Sequence, residues 1–117
     1  MIRKAFTMRL KPGARAEYIR HHDSVPTVWK ELVAEIERSG IARITTFAEP
    51  GDAPRLFLYS EIVDEKAWAK LWDSKIHREW GKLMEPLMQF KDGIVDAGPL
   101  EEVFRLETKA GQKVAKK

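Results

Sequence analysis

The chain has 117 residues, of which 44% are hydrophobic and 33% charged, with no cysteine and a formal net charge of +3. This length predicts one domain with one hydrophobic core, and the lack of cysteine excludes disulfides, thiolate chemistry and cysteine-type zinc sites. No run approaches the roughly 18 apolar residues of a membrane span, and no apolar signal-peptide core follows residues 1–4. The sequence therefore predicts a cytoplasmic location and no membrane partner.

The basic residues are concentrated at the end of the chain. The last nine positions hold four of the 21 Lys and Arg residues: Lys109, Lys113, Lys116 and Lys117. Nucleic-acid binding is typical of a basic stripe with interleaved aromatic residues, and the sequence shows none. We therefore predict no nucleic-acid partner, and interpret residues 107–117 as a solvated basic tail after a domain of residues 1–106.

The first half of the chain predicts a strand followed by two helices. Residues 2–10 alternate in polarity, as half-buried strands do, and a Lys-Pro-Gly turn follows them. A short helix is expected over residues 14–22. A second helix follows Ser24, a plausible N-cap, with Pro26 in its first turn, an apolar stripe at helical spacing and Gly40 as its stop.

The second half predicts two strands, a split helical region and a last strand. Residues 42–48 and 55–63 are expected to pair as a hairpin across a loop at 49–54, and apolar residues on both faces of the second strand suggest cover on both sides. The helical region begins after Asp64, breaks near Asp73 and ends at Asp92 and Gly93. Residues 100–106 are predicted to form the fourth strand.

The order of these elements, β-α-β-β-α-β, predicts an α+β fold of the ferredoxin-like, split βαβ class. Its sheet has four antiparallel strands, with the helices on one face. The other face must be buried by something else, and in this class it often closes against a second copy. We therefore expect a homodimer in the form of an α/β barrel.

Tyr18 and His22 are the first candidates for chemistry, because residues four apart lie on the same face of a helix. A phenol and an imidazole together can hold a hydroxylated ligand and move a proton near neutral pH. The more common explanation of such a pair is that it covers the core and remains partly exposed. Spacing alone does not separate these alternatives.

Metal and nucleophilic chemistry are less well supported. The histidines are His21, His22 and His77, and they lack the spacing of a metal-binding helix; no serine lies in a G-x-S-x-G turn. We therefore predict no metal and no cofactor. Four tryptophans favour a sugar ligand, whose C–H face stacks on aromatic rings; Trp29 and Trp68 are predicted to be core residues, and Trp80 is either core or platform.

Several segments resemble the L-rhamnose mutarotase family. The opening Met-Ile-Arg-Lys-Ala-Phe and the Glu-Tyr-x3-His of residues 17–22 are specific when taken together. The resemblance continues almost to Leu106 through these further pieces: Trp29-Lys30-Glu31-Leu32, Trp80 with Lys82 and Met84, Met88, and Leu100-Glu101-Glu102-Val103-Phe104.

The resemblance implies a dimeric ferredoxin-like barrel that interconverts the anomers of a 6-deoxy sugar without a cofactor. It implies that His22 is the catalytic acid, that Tyr18 binds the substrate, and that Trp80 is the first residue of a Trp-Trp pair in the sugar site. These activities and roles are expectations carried over from the family.

The chain also departs from the family at the sugar site. The second Trp of the pair falls on Gly81, a further substrate-binding Tyr falls near Ile44, and about three residues are inserted between His22 and Trp29. The family's Asn-Pro-Asp-Asn segment is replaced near residues 90–93. L-rhamnose is the first substrate expected, with another 6-deoxy sugar such as L-fucose as the alternative. A cofactor-free monooxygenase-like or haem-handling enzyme, or a non-catalytic binding dimer, would use the same architecture.

Overall fold

A computed structural model of the chain describes residues 1–91, 94–95 and 97–111. These residues contain six strands: β1 (Ile2–Arg9), β2 (Ile41–Ala48), β3 (Arg55–Ile62), β4 (Phe90–Lys91), β5 (Ile94–Val95) and β6 (Gly98–Leu100). They also contain the α-helices α1 (Arg15–Asp23), α2 (Val25–Val28), α3 (Lys30–Ser39), α4 (Ala67–Trp72) and α5 (Lys75–Met84), the last continued by the 3-10 turn Glu85–Leu87. Residues 109–111 are helical as well. No helix within these ranges has the length and apolar character needed to cross a bilayer.

The main sheet has the strand order β2-β3-β1-β6, with every neighbouring pair antiparallel. β1 and β3 pair along their whole length, from Ile2 opposite Ile62 to Arg9 opposite Arg55. This arrangement confirms the predicted α+β, ferredoxin-like fold with an open four-stranded antiparallel sheet.

The hydrophobic core lies between one face of this sheet and the helices. Alternate residues of β3, namely Leu56, Leu58, Ser60 and Ile62, are buried beneath the helices, as their spacing of two residues predicts. The residues between them point to the opposite face, where Phe57 and Tyr59 are only partly buried. Within one chain, β3 is therefore covered by the helices on one face only, whereas the sequence pattern predicted cover on both faces.

The predicted helix after Ser24 is interrupted, which corrects the sequence analysis. Ser24 has helical backbone angles and donates its hydroxyl hydrogen to the His21 carbonyl at 2.6 Å, so it closes α1 and does not cap a new helix. Trp29, with φ −108° and ψ 49°, separates α2 from α3. Because this break turns α2 away from the stripe of α3, Val28 is 73% exposed.

The two other predicted helix boundaries lie close to where the sequence placed them. The Ser74 hydroxyl accepts a hydrogen bond from the His77 backbone N–H at 3.3 Å and so begins α5 after the expected break. The Asp64 carboxylate accepts the Lys66 N–H at 2.7 Å, one turn before α4. The predicted end of this region at Asp92 and Gly93 lies outside the described residues.

The fourth strand is shorter and earlier than predicted. β6 pairs with β1 through Ala5 opposite Leu100 and Thr7 opposite Gly98. In this register residues 101–103 would stand opposite Lys4, Arg3 and Ile2 of β1, so only residues 104–106 of the predicted strand 100–106 would run past the end of β1. Residues 101–106 have no regular structure, and the short β4–β5 hairpin was not predicted.

Gly40 gives a prediction about stability. It has a φ of 97°, and a Cβ placed on it would lie 2.5 Å from Val63 Cγ2. Gly51, with a φ of 110°, faces open space. Both Gly→Ala changes should cost about 1–2 kcal/mol for the left-handed backbone, and Gly40→Ala should cost roughly 1–3 kcal/mol more through overpacking. Urea unfolding measures the difference, and equal losses would contradict the predicted steric contribution.

Candidate active site

Tyr18 and His22 stack on one face of α1, with ring centroids 4.0 Å apart and an interplanar angle of 30°. Tyr18 is the buried residue of this helix, and its burial raises the pKa of the phenol to about 12, while contact with the Thr46 side chain opposes the rise. The phenol therefore keeps its proton at neutral pH. It can donate or accept a hydrogen bond, but it is not a base.

The His22 imidazole is oriented by the backbone of its own helix. Its Nδ1 lies 2.9 Å from the Tyr18 carbonyl oxygen, and because a carbonyl can only accept, Nδ1 carries a proton and donates it. Burial lowers the pKa of His22, and this hydrogen bond opposes the shift. At neutral pH the ring is therefore mainly neutral, with the lone pair on Nε2.

Trp80 of α5 brings a third ring to this pair. Its indole lies edge-to-face with His22, with the centroids 5.0 Å apart at 81°. Trp80 is 8% exposed and belongs to the hydrophobic core, so of the two alternatives that the sequence left open the structure shows the core residue, and the platform role stays a prediction. Only a small part of the ring is available to a ligand.

Trp29 is a member of this cluster that the sequence analysis placed only in the core. Its ring is partly buried and lies edge-to-face with Trp80, at 5.2 Å and 82°. The sequence predicted an unbroken helix through Trp29, which gave no reason to direct this side chain toward α5. A potential signal was Pro26, three residues before the break.

The edge strand β2 closes one side of the cluster. Thr46, which contacts Tyr18, and Ile44 lie on the helix-facing side, opposite the buried residues Leu58 and Ser60 of β3. Thr46 was also missed, because only tertiary contact places it beside Tyr18. Next to Trp80, a Cβ on Gly81 would meet no heavy atom within 4 Å, and Ile44 is 37% exposed.

The remaining candidates lie elsewhere. Trp68 packs edge-to-face on Phe6 at 5.2 Å and donates its indole N–H to Ser60 Oγ at 2.9 Å, which confirms it as a core residue. His77 contacts Trp72, with ring centroids 4.5 Å apart. Among the residues that the structure describes, no group of three His, Asp or Glu side chains comes together as a metal-binding cluster.

This arrangement can hold a small polyhydroxylated ring and move one proton. Aromatic edges and faces suit the C–H surface of a sugar, and the Tyr18 hydroxyl suits one of its hydroxyl groups. The Nε2 atom of His22 can accept a proton and return it, because imidazole is the side chain that titrates nearest neutral pH and burial lowers its pKa here, which leaves Nε2 free to accept.

The lowered pKa of His22 predicts a pH-dependent stability. Between the folded pKa and the ordinary value near 6.5, the unfolded chain binds a proton that the folded chain does not. The free energy of unfolding therefore rises with pH across this window, and the contribution of His22 to stability is lost as the pH falls. Burial lowers the pKa of His77 in the same way, so the comparison uses a His77→Asn background. There, His22→Asn should flatten the pH dependence measured by urea unfolding. An NMR titration midpoint for His22 at or above 6.5 would contradict this assignment.

Comparison with known proteins matches residues 3–106 to the family described as L-rhamnose mutarotase. The L-rhamnose mutarotase of Tolumonas auensis is 40% identical over 88 residues, which are 75% of this chain and 81% of that protein. That of Oceanobacillus iheyensis is 33% identical over 108 residues, 92% of this chain and all of the relative. A crystal structure of L-rhamnose mutarotase from Formosa agariphila matches with a TM-score of 0.74 and 27% identity, covering 92% of this chain and 100% of that one. The chain therefore belongs to the L-rhamnose mutarotase family, a family of isomerases.

Proposed function

We propose that the protein interconverts the α and β anomers of L-rhamnose, supporting L-rhamnose metabolism, and that it does so without a cofactor. The observation that carries this proposal is the His22 imidazole, whose Nδ1 is bonded to the Tyr18 carbonyl and whose ring lies between those of Tyr18 and Trp80. The names of the relatives support L-rhamnose as the first substrate to test.

In the proposed mechanism His22 moves a proton between two oxygens on the same carbon. The neutral imidazole accepts the proton of the anomeric hydroxyl through Nε2 while the bond from C1 to the ring oxygen breaks. The imidazolium then acts as the acid and gives that proton to the ring oxygen. The open-chain aldehyde turns about its C1–C2 bond, and the reverse transfers close the ring as the other anomer, with no net gain or loss of protons.

Tyr18 and Trp80 bind the substrate in this proposal. Tyr18, which keeps its proton, donates a hydrogen bond to a sugar hydroxyl. Trp80 presents the small exposed part of its indole beside His22. Ile44 and Gly81 stand where the resemblance implies aromatic residues, and the loss of these two contacts supports L-fucose or another 6-deoxy sugar as an alternative substrate.

The test is exchange NMR at the anomeric protons of L-rhamnose, with L-fucose as the paired sample. Wild type should accelerate exchange, and His22→Asn should lose roughly 10²–10⁴-fold of the rate, because Asn can keep the hydrogen bond to Tyr18 but cannot move the proton. His77→Asn is the matched control, since it removes a partly buried histidine that contacts Trp72, and it should retain the rate.

The outcomes separate the alternatives. Acceleration of L-fucose alone would reassign the substrate. An exchange rate in His22→Asn equal to that of wild type would remove the role of His22. No acceleration of exchange for either sugar would favour a binding dimer or a monooxygenase-like enzyme.

We also propose that the protein is a homodimer. Its support is the sheet face that the helices leave uncovered, together with the segment of residues 101–106, in which Val103, Phe104 and Leu106 are 73–88% exposed. The radius of gyration is 15.2 Å, above the roughly 13 Å expected for a compact domain of this length. Contiguous apolar exposure of this kind is typical of interaction surfaces.

Light scattering should therefore give about twice the chain mass of 13.5 kDa. Phe104→Glu places a charge on the projecting segment and should shift the equilibrium toward monomer. Trp72→Glu, at a half-exposed aromatic residue of the helical layer, is the control and should leave the dimer intact. A monomeric wild type at micromolar concentration would refute the proposal.

We further propose that the catalytic domain is residues 1–106, with residues 107–117 as an appended tail. The family match ends at residue 106, which supports this boundary. The cytoplasm is the compartment in which we expect the reaction, since a chain without cysteine is compatible with a reducing environment.

A further inference from the structure

Trp80 contacts two aromatic rings that belong to one short segment of the chain. His22 meets it edge-to-face at 5.0 Å and 81°, and Trp29 meets it in the same way at 5.2 Å and 82°. Edge-to-face geometry is a favoured arrangement of aromatic pairs. The indole of Trp80 is therefore held by both ends of residues 22–29.

The backbone of this segment is fixed by local hydrogen bonds. The Ser24 carbonyl accepts the N–H groups of Thr27 and Val28 at 3.1 and 2.8 Å, which closes α2. Since the Ser24 N–H and hydroxyl also bond the His21 carbonyl, α1 runs into α2 without a free linker. The distance between His22 and Trp29 along the chain is thus bridged by a single rigid turn.

Trp29 itself is anchored on both sides. Its N–H donates to the Val25 carbonyl at 3.1 Å, and its carbonyl accepts from Leu32 and Val33 at 3.0 and 3.2 Å. These bonds hold its non-helical backbone angles, φ −108° and ψ 49°. The backbone of Trp29 therefore fixes the position of its Cβ. A residue at such a junction can orient a neighbour from another helix.

We propose that Trp29 is a positioning residue that fixes the indole of Trp80 beside His22, acting through Trp80 and not on the reacting atoms. The proposal rests on the proposed function, in which Trp80 binds the sugar. Trp80 contacts substrate in both the ground state and the transition state, so loss of its orientation weakens binding uniformly. KM then rises while kcat changes little.

The experiment compares Trp29→Leu, which removes the ring and keeps apolar bulk, with Trp29→Phe, which keeps a ring. Trp29→Leu should raise KM roughly three- to tenfold, the ratio expected for loss of one aromatic pair, with kcat within about twofold of wild type. Trp29→Phe should have a KM close to that of wild type. Trp68→Leu is the matched control, because it removes an edge-to-face pair of the same geometry with Phe6, and it should leave KM unchanged in the folded fraction.

A second readout needs no activity. The NMR shift of the His22 ring proton between its two nitrogens depends on the orientation of Trp80, so it should move in Trp29→Leu and stay fixed in Trp68→Leu. A folded Trp29→Leu protein with an unchanged shift would overturn the proposal. If wild type is active, a KM of Trp29→Leu equal to that of wild type would overturn it too. If wild type accelerates no sugar, the proposed function fails, and the shift alone decides whether Trp29 positions Trp80.

Discussion

The hydrogen bond from His22 Nδ1 to the Tyr18 carbonyl joins the fold of α1 to the chemistry proposed for it. One helical turn separates the two residues, so the same spacing stacks their rings and selects the imidazole tautomer. The nitrogen that we propose for catalysis is thereby defined before any substrate binds. Burial then keeps this nitrogen mainly unprotonated, which suits a group that must first accept a proton and then release it.

Much of this arrangement could be predicted because its causes are local. The order of strands and helices follows from residue spacing, and the Tyr18–His22 face follows from the pitch of a helix. The helix break at Trp29 was not predictable from the apolar stripe, because Ser24 uses its hydroxyl to finish α1 and not to start a new helix. The end of β6 was missed for a different reason: its pairing stops at Leu100, opposite Ala5, although β1 continues to Ile2, and no residue pattern marks this point. Trp29 and Thr46 join the site through contacts between elements, which a single sequence does not display.

The uncovered sheet face carries charges that are paired with one another, which bears on the proposed dimer. Arg3, Glu61 and Arg43 form a row across β1, β3 and β2, in which Glu61 accepts hydrogen bonds from Tyr59 at 2.8 Å and from Arg43. These bonds lower the pKa of Glu61, that from Tyr59 most. An isolated charge is the arrangement whose burial is most unfavourable. Because these charges are already paired within one chain, covering them would leave no isolated charge. Phe47 and Phe57, opposite one another on the same face, supply apolar area beside this row.

The proton-transfer group and the sugar contacts depend on different parts of the fold. The tautomer and pKa of His22 are set within α1 and by burial, so the absence of aromatic residues at Ile44 and Gly81 does not alter them. In the proposed function those two positions would affect only how the sugar is held. A site that holds a sugar mainly by apolar contacts rejects a related substrate weakly, because one methylene or hydroxyl changes discrimination by only about 1–3 kcal/mol. We therefore expect the proposed proton transfer to be constrained more strongly than the choice of sugar, and the two absent aromatic residues to favour tolerance among 6-deoxy sugars over strict selection of one.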